Sequence, residues 1–257
     1  MHYKTGPTHG SSNFHPYKCK VINVAGKRSR RETSQYHLYD GSGRQVILEQ
    51  SEAEKDIGVL VDEHLEFSKH IQLQINKANS IMGLIRRTFT HLHVDEKSFK
   101  YLFQGLVRPH LEYAAAVWSP YKVRDIEGVE NVQRRATKLV PTLKDMDYLQ
   151  RLKQLKLPTL KYRRLRGDMI ETFKILRGVY DPEVASNILV LDETSRTRGN
   201  NLKLKKFHCN KNIRKYSFTR RITDTWNSLP NEVINAKSVK HFEIALDRHW
   251  EHQDREV

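Results

Sequence analysis

Between Ser68 and Leu176 the apolar residues of this chain recur, stripe after stripe, at the spacing of one helix face. Ser68 stands where a helix cap would. Ile71, Ile75, Ala78, Met82, Ile85 and Phe89 follow it at steps of three or four. Phe99, Leu102, Phe103, Leu106, Val107 and Leu111 mark a second helix. Ile126, Val129, Val132 or Gln133, Ala136 and Leu139 mark a third, stopped by Pro141. A short helix is predicted over Tyr148 to Leu155. After Pro158, Tyr162, Leu165, Met169, Phe173 and Leu176 define a long amphipathic helix ending near Gly178. Each stripe needs a neighbour to cover it, so these helices are expected to form a bundle.

The flanking regions differ. Residues 1–12 are rich in Gly, Ser, His and Pro and are expected to be disordered. Residues 13–62 carry strand signals: an apolar run from Val21 to Val24, a hairpin signal at Asp40-Gly41-Ser42-Gly43, and an apolar strand Ile57 to Val61 interrupted by Gly58. They are expected to form a small antiparallel β segment, with the helical domain over 63–180. Residues 181–257 read as a basic C-terminal region. There Leu202-Lys203-Leu204-Lys205 alternates like an edge strand, Ser217 to Trp226 is helical, and Ser238 to Trp250 is a final helix with Phe242, Leu246 and Trp250 on one stripe. The fold class is therefore α+β, predominantly α. Trp118 and Trp226 are expected as core anchors.

Charge bounds the partner. Lys and Arg number 45 against 30 acids, a net charge of +15 over 257 residues. A balance this basic favours a polyanion, nucleic acid above all. Three cationic surfaces stand out. Arg134, Arg135 and Lys138 share a face of the third helix. Lys161, Arg163, Arg164 and Arg166 crowd the first turns of the long helix, where positive charge opposes the helix dipole and suggests a polyanion nearby. Thr194 to Thr223 holds Arg196, Arg198, Lys203, Lys205, Lys206, Lys211, Arg214, Lys215, Arg220 and Arg221, with no acid, interleaved with Phe207, Tyr216 and Phe218. Cations suit phosphates and aromatic rings suit unpaired bases. Each surface could instead be a solvated charged face.

Signals for other chemistry are weak. Two cysteines, Cys19 and Cys209, make neither a disulfide framework nor a CxxC zinc site. No HExxH and no Gly-rich phosphate loop occurs. Cys19 is expected as a small buried strand residue. Asp145 and Asp147 read as an inter-helix turn or a helix N-cap. No apolar run approaches the ~20 residues of a membrane span, and the N-terminus lacks the apolar core of a signal peptide. No membrane partner is expected, and the protein is expected inside the cell, in nucleus or cytoplasm.

Several segments resemble, in order, the C-terminal part of reverse transcriptases of non-LTR retrotransposons (LINE elements of the jockey and chicken-repeat types). They are NFHPYKCKV, AEKDIGVLVDEHLEFSKHI, LVRPHLEYAAAVWSPY, VENVQRRATKLVP, LPTLKYRRLRGDMIETFKIL, SRTRGNNLKLKK, YSFTRRITDTWNSLP and SVKHFEIALDRHW. The resemblance covers roughly Asn13 to Trp250. It implies the end of the palm and a primer grip at Ile57, Gly58 and Val59, then a thumb, then a C-terminal region. It also implies RNA, DNA or their hybrid as partner. The intact family enzyme polymerises DNA on RNA with Mg2+ held by paired aspartates. This chain contains no Asp-Asp pair, so no catalytic residue, metal ligand or cofactor is expected here, nor polymerisation by these residues alone. The alternatives from other classes are a protein-interaction module, a relic without function, and a subunit completing an active polymerase in trans.

Overall fold

The computed structural model describes residues 15–24, 34–88, 95–185, 187–192 and 200–251. The chain is α+β with α predominant, as the periodicity predicts. It divides into two compact units, Met1–Leu65 and Glu66–Val257.

Among its described residues the first unit holds six short strands in three separate two-stranded ladders rather than one antiparallel sheet. β1 (Lys20–Val21) pairs in parallel with β4 (Glu49–Gln50). β2 (His37–Tyr39) and β3 (Gln45–Ile47) form the expected hairpin. Its turn is built by Asp40, whose Oδ1 accepts from Ser42 N (2.9 Å), Ser42 Oγ (2.6 Å) and Arg44 N (3.0 Å). These bonds, the Ser42 hydroxyl first, hold the Asp40 carboxyl down at about 2. Of the two glycines in this turn, Gly43 takes a positive φ, 77°.

The strand expected over Ile57 to Val61 is instead a second hairpin. β5 (Ala53–Asp56) pairs antiparallel with β6 (Val59–Asp62). Ile57 and Gly58 are its two-residue turn, with φ of 40° and 83°. Two successive positive φ values define the type I′ turn that matches strand twist. The apolar pattern marks strand from Val59 on, and Gly58 marks a chain reversal, not an interruption. Cys19 is half-buried just before β1, outside the strand that was expected to bury it.

In the second unit most stripe positions are buried or half-buried, but Leu106, expected on the second stripe, is 50% exposed. α1 (Ser68–Thr88) buries Ile71, Ile75, Ala78, Met82 and Ile85; Phe89 lies outside the described residues. Ser68 Oγ donates across to Asp125 at 2.6 Å. α2 (Glu96–Leu102) runs into a π turn, Phe103–Val107, and then α3 (Arg108–Glu112). Pro109 lacks the N–H that would continue the α ladder, and the Arg108 N–H reaches back to Phe103 O. The wider turn keeps Phe99, Phe103, Val107 and Leu111, four apart throughout, on one buried face.

α4 (Ala115–Trp118) ends at Trp118, whose ring is buried 5.5 Å from His70 and whose Nε1 donates to Tyr113 O at 2.6 Å. α5 (Val123–Ala136) gives way to a 3-10 turn before Pro141. α6 (Tyr148–Leu155) starts at Asp147, the N-cap of a full capping box with Gln150. α7 (Leu160–Leu176) is capped by Thr159 and stops at Gly178, φ 66°.

After the short α8 (Pro182–Ala185) come α9 (Asn212–Lys215), α10 (Phe218–Arg221), α11 (Thr223–Ser228), α12 (Asn231–Ile234) and α13 (Val239–Glu251). Described residues beyond Pro182 share one core with α7. Met169 and Phe173 pack with Leu189, Leu204, Ile222, Trp226, Phe242 and Leu246. Phe173 and Phe242 stack at 4.4 Å. Each such side chain contributes ~1.5–3 kcal/mol by leaving water, so this region is folded onto α7. The expected edge strand reduces to one antiparallel bridge, Leu191 to Leu204. The Asn227 side chain completes it, donating to Leu204 O (2.9 Å) and accepting from Leu204 N (2.8 Å).

Candidate nucleic-acid interface

The cations predicted to face a polyanion fall into three groups with different surroundings. On α5, Arg134 is half-buried, hydrogen-bonded to Asn131, near Glu127 (3.5 Å), with its guanidinium 5.0 Å from the centre of the Tyr148 ring. Arg135 is exposed and bonds Asn79 at 3.1 Å. Lys138 is exposed in the 3-10 turn.

Of the four predicted cations on α7 only Lys161 is exposed. Arg163 makes a two-point pair with Glu112, Nη2 to Oε2 at 2.9 Å. Arg166 pairs through Nε (2.7 Å) and Nη2 (2.9 Å) with Asp247 and reaches Glu243 at 3.3 Å. The Asp247 hydrogen bond raises its pKa. Arg164 is buried; burial pushes its pKa down, against the pull of Glu130, Asp168 and Glu112. The helix N-terminus has its anion inside the chain: Glu130 is buried and accepts from Leu160 N and Lys161 N, both at 3.2 Å. Tyr148 also donates to Glu130, and burial together with that carboxylate pushes the phenol far up. The dipole argument for an external polyanion is therefore answered from within.

The signal for this was on α5. Glu130, Gln133 and Thr137 repeat at helical spacing beside Val129, Val132 and Ala136, and all are buried. Gln133 donates to Tyr148 Oη (3.1 Å) and Pro158 O (3.0 Å), and Thr137 accepts from Arg151 at 2.9 Å. This polar stripe marks a face that docks on another element through hydrogen bonds. Charge counting does not find it.

The third group divides. Arg196 and Arg198 lie outside the described residues. Arg221 is structural: Nε and Nη2 pair with the two oxygens of buried Asp168 at 2.8 Å each, and Nη2 also donates to Ala116 O at 2.7 Å. Lys206 pairs with Asp224 on the surface. Lys203 is half-buried, its carbonyl accepting from Asp192 N at 2.8 Å. Lys205, Lys211, Arg214 and Lys215 are exposed, and none is in an ion pair with a described residue. Arg220 lies 4.0 Å from the centre of the Phe207 ring and Lys205 Nζ 5.5 Å from it. Tyr216 stacks on Tyr121, 4.4 Å apart and nearly parallel, with Lys122 and Lys215 close to the two rings. Phe218 is half-buried beside Arg221. Of the three residues expected as a primer grip, Ile57 and Gly58 form a hairpin tip, with Ile57 81% exposed, while Val59 opens β6 and is buried.

Among the described residues no three His, Cys, Asp or Glu side chains come together as a metal ion would require. No described helix is long and apolar enough to cross a membrane. No protein family, curated protein or solved structure matches the chain.

Proposed function

We propose that this chain is the C-terminal part of a non-LTR retrotransposon reverse transcriptase and binds RNA, DNA or an RNA–DNA hybrid inside the cell. The proposal rests on the ordered motifs of the sequence. The observation that carries the binding is the set Lys205, Lys211, Arg214 and Lys215, exposed and free of ion pairs with described residues, beside the rings of Phe207 and Tyr216. Cations left without internal partners have a polyanion as their natural complement, and adjacent rings offer stacking surface. No polymerisation is assigned to these residues, which include no Asp-Asp pair. The test is fluorescence anisotropy of the purified chain with a short RNA–DNA template-primer across salt concentrations. Binding that weakens steeply as salt rises from ~50 to ~200 mM supports the reading. Absence of binding at the low end refutes it.

A further inference from the structure

A cavity of about 170 Å³ lies between the segment Asn187–Val190, the stretch around Lys205 and the turn from α10 into α11. The core holds its walls in place. Leu189 and Leu204 are buried in the cluster around Trp226, and Lys205 N donates to Val190 O at 2.8 Å. Phe207, Ile188 and Val190 also line it, and all three are exposed, Phe207 by 42%. The charged residues of the lining are Lys205 and Arg220, with no carboxylate among them. Neither is in an ion pair with a described residue. Asp224 of α11 is taken by Lys206. The Arg220 guanidinium lies 4.0 Å from the centre of the Phe207 ring, and Lys205 Nζ lies 5.5 Å from it. One exposed ring and two cations thus share a single cavity.

We infer that this cavity receives one unpaired base of a single-stranded nucleic acid, packed against Phe207 with Arg220 beside it, and that Lys205 holds the adjoining phosphate. The inference rests on the proposed nucleic-acid binding and specifies the form bound here. A lone anion has no use for the phenyl ring or for Ile188 and Val190. An apolar side chain leaves Lys205 and Arg220 without a counter-charge. A duplex presents phosphates and groove edges, because its base faces are covered by their neighbours. An unpaired nucleotide joins a flat apolar face to a negative charge, and each part meets its complement: ring and guanidinium for the face, ammonium for the phosphate. Asn187 and Thr219 line the cavity as well, and an amide and a hydroxyl can both give and accept hydrogen bonds at a base edge. The volume suits one base and not a base pair. Every base has an aromatic face, so the site tolerates any sequence.

The test compares three probes of equal length on the full chain by fluorescence anisotropy: a DNA single strand, the same backbone with every base removed, and a blunt duplex. Phe207→Ala is the variant. Phe207 is exposed, so little core is lost, and Phe207→Tyr, which keeps a ring, is its control. The parent should bind the intact strand at least about fivefold more tightly than the abasic strand at the same salt. Phe207→Ala should cut that preference by at least about fivefold. It should leave the salt slope unchanged, because the ring carries no charge, and leave duplex binding unchanged. Phe207→Tyr should keep the preference. Equal binding of the intact and abasic strands by the parent overturns the base site, and a steep salt dependence of that binding leaves the proposed function standing. A preference undiminished in Phe207→Ala, or a duplex weakened as much as the strand, also overturns the site. Binding of no probe at ~50 mM salt refutes the proposed function, and the base site with it.

Discussion

Arg221→Ala is expected to damage the fold rather than any interface, although Arg221 lies in the acid-free stretch that reads as a nucleic-acid contact. Its guanidinium spans both oxygens of Asp168 at 2.8 Å and donates to Ala116 O at 2.7 Å. Asp168 is 5% exposed. Burial already pushes this carboxyl's pKa up, against the pull of Arg221. Removing the arginine strands a buried charge and a backbone acceptor, and breaking a buried pair from one side costs about 3–5 kcal/mol. In a unit of this size each kcal/mol lowers Tm by ~2–4 °C, so a fall on the order of 6–20 °C is expected by calorimetry. The sign of the pH effect follows. A carboxyl with a raised folded pKa lowers stability as pH rises from its unfolded value through that pKa, so the deficit of the variant grows as pH rises above ~4. Arg221→Met with Asp168→Leu, which removes both charges, recovers much of the loss. The control is Lys206→Ala, which breaks the exposed pair with Asp224 and is worth under ~1 kcal/mol. If Arg221→Ala costs no more than Lys206→Ala, the reading of Arg221 as a structural cation is wrong.

Three further outcomes follow from the same reasoning. Glu130→Gln disturbs the acceptor of Leu160 N, Lys161 N and the Tyr148 hydroxyl. It should destabilise by ~2–3 kcal/mol in urea unfolding; parity with Glu127→Gln would show that the buried carboxylate is not what steadies α7. His70 is buried against Trp118, and burial, with Lys77 adding to it, lowers its pKa. A base with a depressed folded pKa adds stability above its unfolded value of ~6.5 that is lost as pH falls below it. Tm should therefore drop between pH ~7.5 and ~5.5, and His70→Gln should flatten that drop; an equal drop in the variant contradicts it. Ile57→Asn relieves a β-branched residue at φ 40° in a type I′ turn. It should stabilise the β5–β6 hairpin by ~1 kcal/mol, seen as slower amide exchange at Glu54 to Val61; faster exchange would show that the turn tolerates isoleucine without strain.

The helical part of the fold was legible because periodicity reports burial directly. Ile71 through Ile85, Tyr148 through Leu155 and Phe242 through Trp250 needed no other information. The β segment was less legible. Strands of two to four residues are too short for alternation to fix partners, and Ile57 in a left-handed conformation contradicts the usual turn chemistry, so the hairpin tip was read as strand. The cations were the hardest. Arg163, Arg166 and Arg221 look like Lys205 or Arg214 in the sequence. Their partners lie far away along the chain, Glu112 for Arg163, Asp247 for Arg166 and Asp168 for Arg221. Local charge density cannot separate a cation that mortars two elements from one that faces solvent. Only tertiary pairing does so, and it withdraws Arg163, Arg166 and Arg221 from the candidate interface while keeping the segment around α9.

The interface around α9 is tested most directly by the salt dependence of nucleic-acid binding in the variant Lys205→Ala, Lys211→Ala, Arg214→Ala, Lys215→Ala. Each phosphate contact adds about 0.7 to the slope of log K against log salt for a single strand and about 0.9 for a duplex. The account predicts a slope shallower by up to ~3 units on a single-stranded probe, with thermal stability close to the parent's because these side chains are exposed. A slope equal to the parent's, in a variant that is folded and still binds, would place the contacts elsewhere and contradict the account.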